Sequence, residues 1–118
     1  DRLILIGPTP GAPSDIPFAF ANALRWRRTL PVSKSMDIVA KDSSWFWQAA
    51  KQHVSDPQLL LVDPMPWFCD RQTCRYASES GELLYRDGGH LSLAGARFVA
   101  GMLPATVLTP SVQSVHAR

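Results

Sequence analysis

The sequence predicts an α/β domain built on a parallel sheet flanked by helices, and three observations carry that expectation. Two short, unbroken apolar runs, Leu3-Ile4-Leu5-Ile6 and Leu59-Leu60-Leu61-Val62, each stop at turn formers, Gly7-Pro8 and Asp63-Pro64. Helices cover both sides of a parallel sheet, so its strands read as continuous apolar runs rather than as alternation. Stretches with helical spacing lie between and after these runs, and that order is the mark of parallel strands joined by crossovers.

The elements follow in order. Pro8, Pro10 and Pro13, with Gly7 and Gly11, make a stiff loop over the C-terminal end of the first strand. Ligands bind at that end in open α/β sheets. Ala19 to Arg28 reads as a short, weakly periodic helix, and a polar stretch around Ser33-Lys34-Ser35 follows. A second helix is expected to start near Ser43 or Ser44, either of which can cap it. Trp45, Ala49 and His53 then form one stripe, with Phe46, Ala50 and Val54 beside it, facing the sheet. On that stripe His53 is a packing, partly buried histidine. Tyr76 to Tyr85, with Ser78-Glu79-Ser80-Gly81 at its middle, looks like a small hairpin. Leu91, Ala94, Phe98 and Met102 recur at three-and-four spacing, a core-facing helical stripe that Pro104 ends. Ser92, just before the stripe, reads as the helix N-cap rather than as a nucleophile. Residues 1–105 are assigned to the domain, and the unperiodic residues 106–118 to a disordered tail.

Composition narrows the function. A chain of 118 residues makes one domain at most, and 12 basic against 10 acidic side chains leave a formal charge of +2. That excess is too small to argue for a nucleic-acid partner. Arg25, Arg27 and Arg28 around Trp26 read as a solvated helix face, with a patch for anionic glycan or lipid headgroups as the alternative. No window approaches the ~20 apolar residues of a membrane span, and no signal peptide is visible, so the chain as written is expected to be soluble. Cys69 and Cys74 enclose the wholly polar Asp70-Arg71-Gln72-Thr73. That arrangement suits an exposed loop stapled by a disulfide in an oxidising compartment. Free thiols and a metal site with His90 as third ligand are the rival readings, although a single such pair is weak evidence for zinc. No cofactor and no metal are expected.

The chemistry concentrates in Tyr85-Arg86-Asp87-Gly88-Gly89-His90-Leu91-Ser92. Glycine permits positive φ and a sharp turn, so Asp87 and His90 can be presented together on one short loop. A carboxylate beside an imidazole fixes its tautomer and stabilises the imidazolium formed when the other nitrogen takes a proton. These are two of the three groups of a hydrolase or acyltransferase triad. Asp63, at a strand end, is the other acid able to orient the histidine; Asp87 is preferred.

Asp87-x-x-His90-Leu91-Ser92-x-x-Gly95, preceded by Leu84-Tyr85-Arg86, resembles the last sequence block of the SGNH superfamily of hydrolases. It is most similar to the SGNH domains attached to membrane-bound acyltransferase-3 proteins, which O-acetylate lipopolysaccharide and other bacterial glycans. The strand Leu3 to Ile6 with its loop through Pro10, the segment Leu60 to Pro64, and the pair Cys69 and Cys74 agree with that subgroup. The resemblance implies a three-layer α/β/α, flavodoxin-like fold, truncated at its N-terminus because the family's Gly-Asp-Ser block does not occur here. It implies acetyl transfer to a glycan or lipopolysaccharide hydroxyl through an acyl-serine, with the acyl group passed from a membrane-embedded acyltransferase domain. His90 and Asp87 supply the proton chemistry, at the periplasmic face of the bacterial inner membrane. The serine and oxyanion donors are expected in sequence before Asp1, which makes this polypeptide inactive alone. Such a truncated sheet is expected to expose an edge and an apolar face. An SGNH esterase using water as acceptor and a non-catalytic periplasmic binding module are the alternatives.

Overall fold

The computed structural model describes residues 2–104, so the expected tail at 106–118 lies outside the described residues. In chain order the elements are β1 (Leu3–Ile6), α1 (Ile16–Arg25), β2 (Lys34–Ser35), α2 (Met36–Ala50), a 3₁₀ turn (Lys51–His53), β3 (Leu59–Val62), α3 (Met65–Phe68), β4 (Thr73–Cys74) and α4 (Leu93–Met102). Both apolar runs are strands, and they pair in parallel from Leu3 opposite Leu59 to Ile6 opposite Val62. Gly7 extends the ladder by donating its N–H to the Val62 carbonyl. This is the expected α/β class, with a described sheet of two parallel strands. Leu59, Leu60 and Val62 are buried, whereas Leu3 and Ile6 of β1 are 63% and 42% exposed. The expected open apolar surface is therefore found on β1.

Both early helices begin before the positions that periodicity suggests. α1 starts at Ile16 rather than Ala19, because Asp15 accepts the Phe18 N–H and Pro17 occupies the first turn, where its missing N–H costs nothing. It ends at Arg25 rather than Arg28, with Arg27 in the left-handed region at φ 52°. Arg25, Arg27 and Arg28 are exposed, as a solvated face requires, and the Arg25 guanidinium stacks 5.1 Å over the Trp26 ring. α2 starts at Met36, capped by Ser35. Ser43 and Ser44 are not caps; they sit inside the helix and donate their hydroxyls to the Val39 and Lys41 carbonyls. The inward face of α2 is Val39, Ser43 and Ala50 instead of the Trp45 stripe, and Trp45 is 67% exposed. With α2 ending at Ala50, the stripe does not continue to His53, which is exposed in the 3₁₀ turn.

The main core gathers Ala12 and Ile16 from the β1–α1 region, Phe68 from α3, and Tyr76, Leu84 and Tyr85 from the strand-like segment before α4. Phe98 and Val99 of α4 pack against it. A smaller cluster of Val39, Met65 and Cys74 lies under α2. Cys69 and Cys74 are disulfide-bonded, and Cys69 packs on both clusters. This pairing sets aside the free-thiol and metal readings. The enclosed turn is exposed and locally closed, Asp70 accepting the Gln72 and Thr73 N–H groups at 2.7 and 2.8 Å.

The Ser78–Gly81 segment turns as a hairpin, with an antiparallel bridge between Ala77 and Leu83. Ser92 caps α4 by accepting the Gly95 N–H at 3.0 Å, and it donates to the Leu83 carbonyl at 2.7 Å. Gly95 is buried where α4 crosses this segment, and a Cβ there would run into the Leu84 carbonyl oxygen. Gly95→Ala is therefore expected to destabilise the domain by about 1–3 kcal/mol, the usual range for overpacking. A shifted denaturant midpoint at unchanged slope checks this.

Candidate active site

The Asp87–His90 loop is held from both flanks. An antiparallel bridge pairs Tyr85 with Leu91, the Arg86 N–H bonds to the His90 carbonyl at 2.9 Å, and the Ser92 N–H bonds to the Leu84 carbonyl. Four residues are thus reversed within one tight turn. The turn does not use left-handed glycine: positive φ falls at Gly11 and Gly81 among the described glycines, not at Gly88 or Gly89. Its closure comes instead from the Asp87 carboxylate, whose Oδ1 accepts the Gly89 N–H at 2.8 Å and the His90 N–H at 2.7 Å.

The same carboxylate faces the imidazole, with Oδ2 2.9 Å and Oδ1 3.1 Å from His90 Nδ1. The Gly89 and His90 amides, more than the imidazole, hold the Asp87 carboxyl down at about 2 against an ordinary 3.8. It is ionised throughout the neutral range. A carboxylate can only accept, so Nδ1 carries the proton, and in the neutral ring Nε2 is the nitrogen that holds the lone pair. The His90 side chain is 69% exposed and that of Asp87 41%. The ring is thus not packed into hydrocarbon, and its second nitrogen is open to a reactant.

The sequence-predicted residues separate cleanly. Asp87 and His90 are brought together, while Asp63 turns its carboxylate to the Met65 N–H at 3.0 Å, just before α3. Ser92, Ser43 and Ser44 are committed to backbone bonds. Trp67 is partly buried against the core and lines an open cavity of about 500 Å³ with Pro66, Arg75, Phe98 and Met102. His53 lines another, of about 530 Å³, beside Leu3, Leu5 and Ala50.

Sequence reasoning passes over the contacts that join this loop to the loop leaving β1. The Ala12 N–H donates to the Gly88 carbonyl at 3.0 Å, and the Gly11 N–H donates to the Tyr85 hydroxyl at 3.1 Å. Lys34 Nζ reaches the Pro10 carbonyl at 3.2 Å and pairs with Asp42 at 3.3 Å. In the sequence Tyr85 is visible only as part of the motif, and nothing in its spacing marks it as fully buried.

The fold and site together define an α/β domain that presents a carboxylate-held imidazole beside the loop leaving a parallel strand. The chain belongs to the family of SGNH domains fused to AT3 domains, whose sequence model matches residues 1–105. Its fold is similar to that of the lipopolysaccharide acetyltransferase periplasmic domain of Salmonella ser. Paratyphi A, with a TM-score of 0.65 at 18% identity. That match covers 92% of this chain and 42% of the Salmonella domain, so the chain spans less than half of its structural neighbour. No curated protein matches the sequence.

Two outcomes are expected at the site. Because the amides dominate, His90→Ala should leave the Asp87 carboxyl titrating well below 3.8 when followed by carboxyl carbon NMR. The depressed value also sets a pH window. The ionised loop is favoured above 3.8, and that advantage is lost as pH falls through about 2. Exchange of the Gly89 and His90 amides, corrected for its intrinsic pH dependence, should therefore rise between these limits. A second expectation concerns Gly89, where an added Cβ meets no atom within 4 Å. Gly89→Ala should change stability by less than about 0.5 kcal/mol, as substitutions away from strained or packed sites do, and should leave the Asp87 titration in place.

Proposed function

We propose that this chain is the Asp–His portion of an O-acyltransferase domain that moves an acetyl group onto a glycan hydroxyl. The observation that carries the reading is the 2.9 Å contact between His90 Nδ1 and an ionised Asp87, with Nε2 left open. Membership of a family fused to AT3 domains, and likeness to a periplasmic lipopolysaccharide acetyltransferase domain, support acyl transfer over other triad chemistry.

In this reading a serine supplied by sequence outside the chain gives its hydroxyl proton to His90 Nε2 as its oxygen attacks the acyl carbonyl. Asp87 holds the ring and stabilises the imidazolium. The tetrahedral adduct collapses to an acyl-serine, and the imidazolium returns the proton to the departing group. The acceptor hydroxyl then gives its proton to Nε2 and attacks the acyl-serine, and the serine oxygen leaves with that proton. In this reading a membrane-embedded AT3 domain supplies the acyl group, and the reaction takes place at the periplasmic face of the inner membrane. Lipopolysaccharide or another surface glycan is the acceptor.

The polypeptide alone should hydrolyse an aryl acetate only at background rate, because removing the serine of a serine-protease triad costs on the order of 10⁶-fold. In the intact acyltransferase, His90→Ala should lower transfer to a sugar acceptor by a similar factor, and Asp87→Asn by about 10⁴-fold. Robust, saturable turnover by the isolated chain that His90→Ala abolishes would contradict the reading. So would hydrolysis by the intact protein undiminished in favour of transfer when sugar acceptor is added, which would make it an esterase.

A further inference from the structure

Tyr85 is fully buried, yet its hydroxyl touches the loop of a different element. It lies on the strand-like segment that carries Asp87 two residues later, with its ring against Phe68 at 6.0 Å between centroids. The hydroxyl accepts the Gly11 N–H at 3.1 Å, and the Thr9 side chain bonds to the same group. Gly11 is at φ +76°, a conformation that favours glycine. Its neighbour Ala12 is itself buried and donates to the Gly88 carbonyl, in the middle of the Asp87–His90 turn. A closed circuit results: from the Tyr85 hydroxyl to Gly11, from Ala12 to Gly88, and back along the chain through Asp87 to Tyr85.

We propose that Tyr85 is a positioning residue that uses its buried hydroxyl to clamp the Thr9–Ala12 loop onto Gly88 and so hold Asp87 and His90 in register. The Gly89 N–H belongs to the same peptide unit as the Gly88 carbonyl, and the His90 N–H to the next unit along the chain, and both point at the Asp87 carboxylate. Freeing the Gly88 carbonyl lets those units rotate, weakens both amide bonds to Asp87, and loosens the carboxylate that orients the ring. Burial raises the phenol above its ordinary value, so it stays neutral and keeps accepting from Gly11 at every working pH. Its importance for proton transfer rests on the function proposed above; the clamp itself does not.

Tyr85→Phe keeps the ring against Phe68 and removes only the oxygen. In the full chain it should raise the Asp87 carboxyl titration by at least about half a unit, because hydrogen bonds to the charged form are what depress it. Amide exchange at Gly11 and Ala12 should accelerate by at least about tenfold, with far-ultraviolet circular dichroism unchanged. An unchanged Asp87 titration together with unchanged exchange overturns the proposal, because a tyrosine that only packs predicts that result. If Tyr85→Phe does not fold, the unsubstituted chain decides: a protected Gly11 amide supports the clamp, and exchange at the unstructured rate overturns it. In the intact acyltransferase the variant should lower kcat and leave KM in place. A silent His90→Ala in that protein, alongside the Asp87 shift in Tyr85→Phe, would sink the proposed reaction and leave the clamp standing.

Discussion

One carboxylate organises this molecule's chemistry. Asp87 accepts two backbone N–H groups from its own turn and faces the imidazole of His90 at the same time. The amide bonds keep it ionised, and ionisation is what lets it hold the ring in the tautomer that leaves Nε2 free. Remove the amides and the carboxyl drifts toward its ordinary range; remove the carboxylate and nothing on the turn fixes the ring. The turn is therefore closed by a side chain and not by the flexibility of its glycines. Neither Gly88 nor Gly89 takes positive φ, and the Gly88 carbonyl is engaged by the Ala12 N–H.

Precision at such a turn depends on what lies beneath it. The segment from Tyr76 to Leu91 is fastened by backbone bonds from Leu84 to Tyr76 and from Ser92 to Leu84. Its side chains Tyr76, Leu84 and Tyr85 belong to the core. α4 lies so close across it that Gly95 has no room for a methyl group. Ser92 joins the two, capping the helix with its oxygen and tying it to Leu83 with its proton. A carboxylate–imidazole pair carried on a free loop would lose orientation, and a supported turn does not. The disulfide acts one step further back, joining the two ends of the Asp70–Thr73 turn where the two hydrophobic clusters meet.

Much of this is legible in the sequence, and the misses share a cause. The two strands can be read because their unbroken apolar runs, stopped by glycine or proline, are too short to be buried helices. α4 shows its stripe, its serine cap and its terminating proline, and the spacing from Asp87 to His90 announces their meeting. Periodicity alone misplaces α1 and α2, because their start signals are caps. Asp15 with Pro17, and Ser35, lie outside the apolar stripes. The helix that begins at Met36 buries Val39, Ser43 and Ala50 and leaves Trp45 out, and its end at Ala50 places His53 beyond it. Tyr85 escapes recognition because its role arises from a contact 74 residues away, with a backbone group that carries no side-chain signature.

If the pair acts as proposed, its exposure sets what the rest of the site must add. His90 and Asp87 stand largely in water, and interactions between exposed charges are weakened by the high dielectric around them. A group oriented there is preorganised, yet it gains its full electrostatic effect only when a reactant and its surroundings displace that water. Under the proposed function, the apolar surface left open on β1 and the exposed imidazole are where further sequence of the acyltransferase would add cover, nucleophile and oxyanion donors. In that arrangement proton transfer is reserved for the assembled site. On the proposed reading, the exposed histidine held by its aspartate stays idle until the acyl group and a hydroxyl arrive with the protein that shields them.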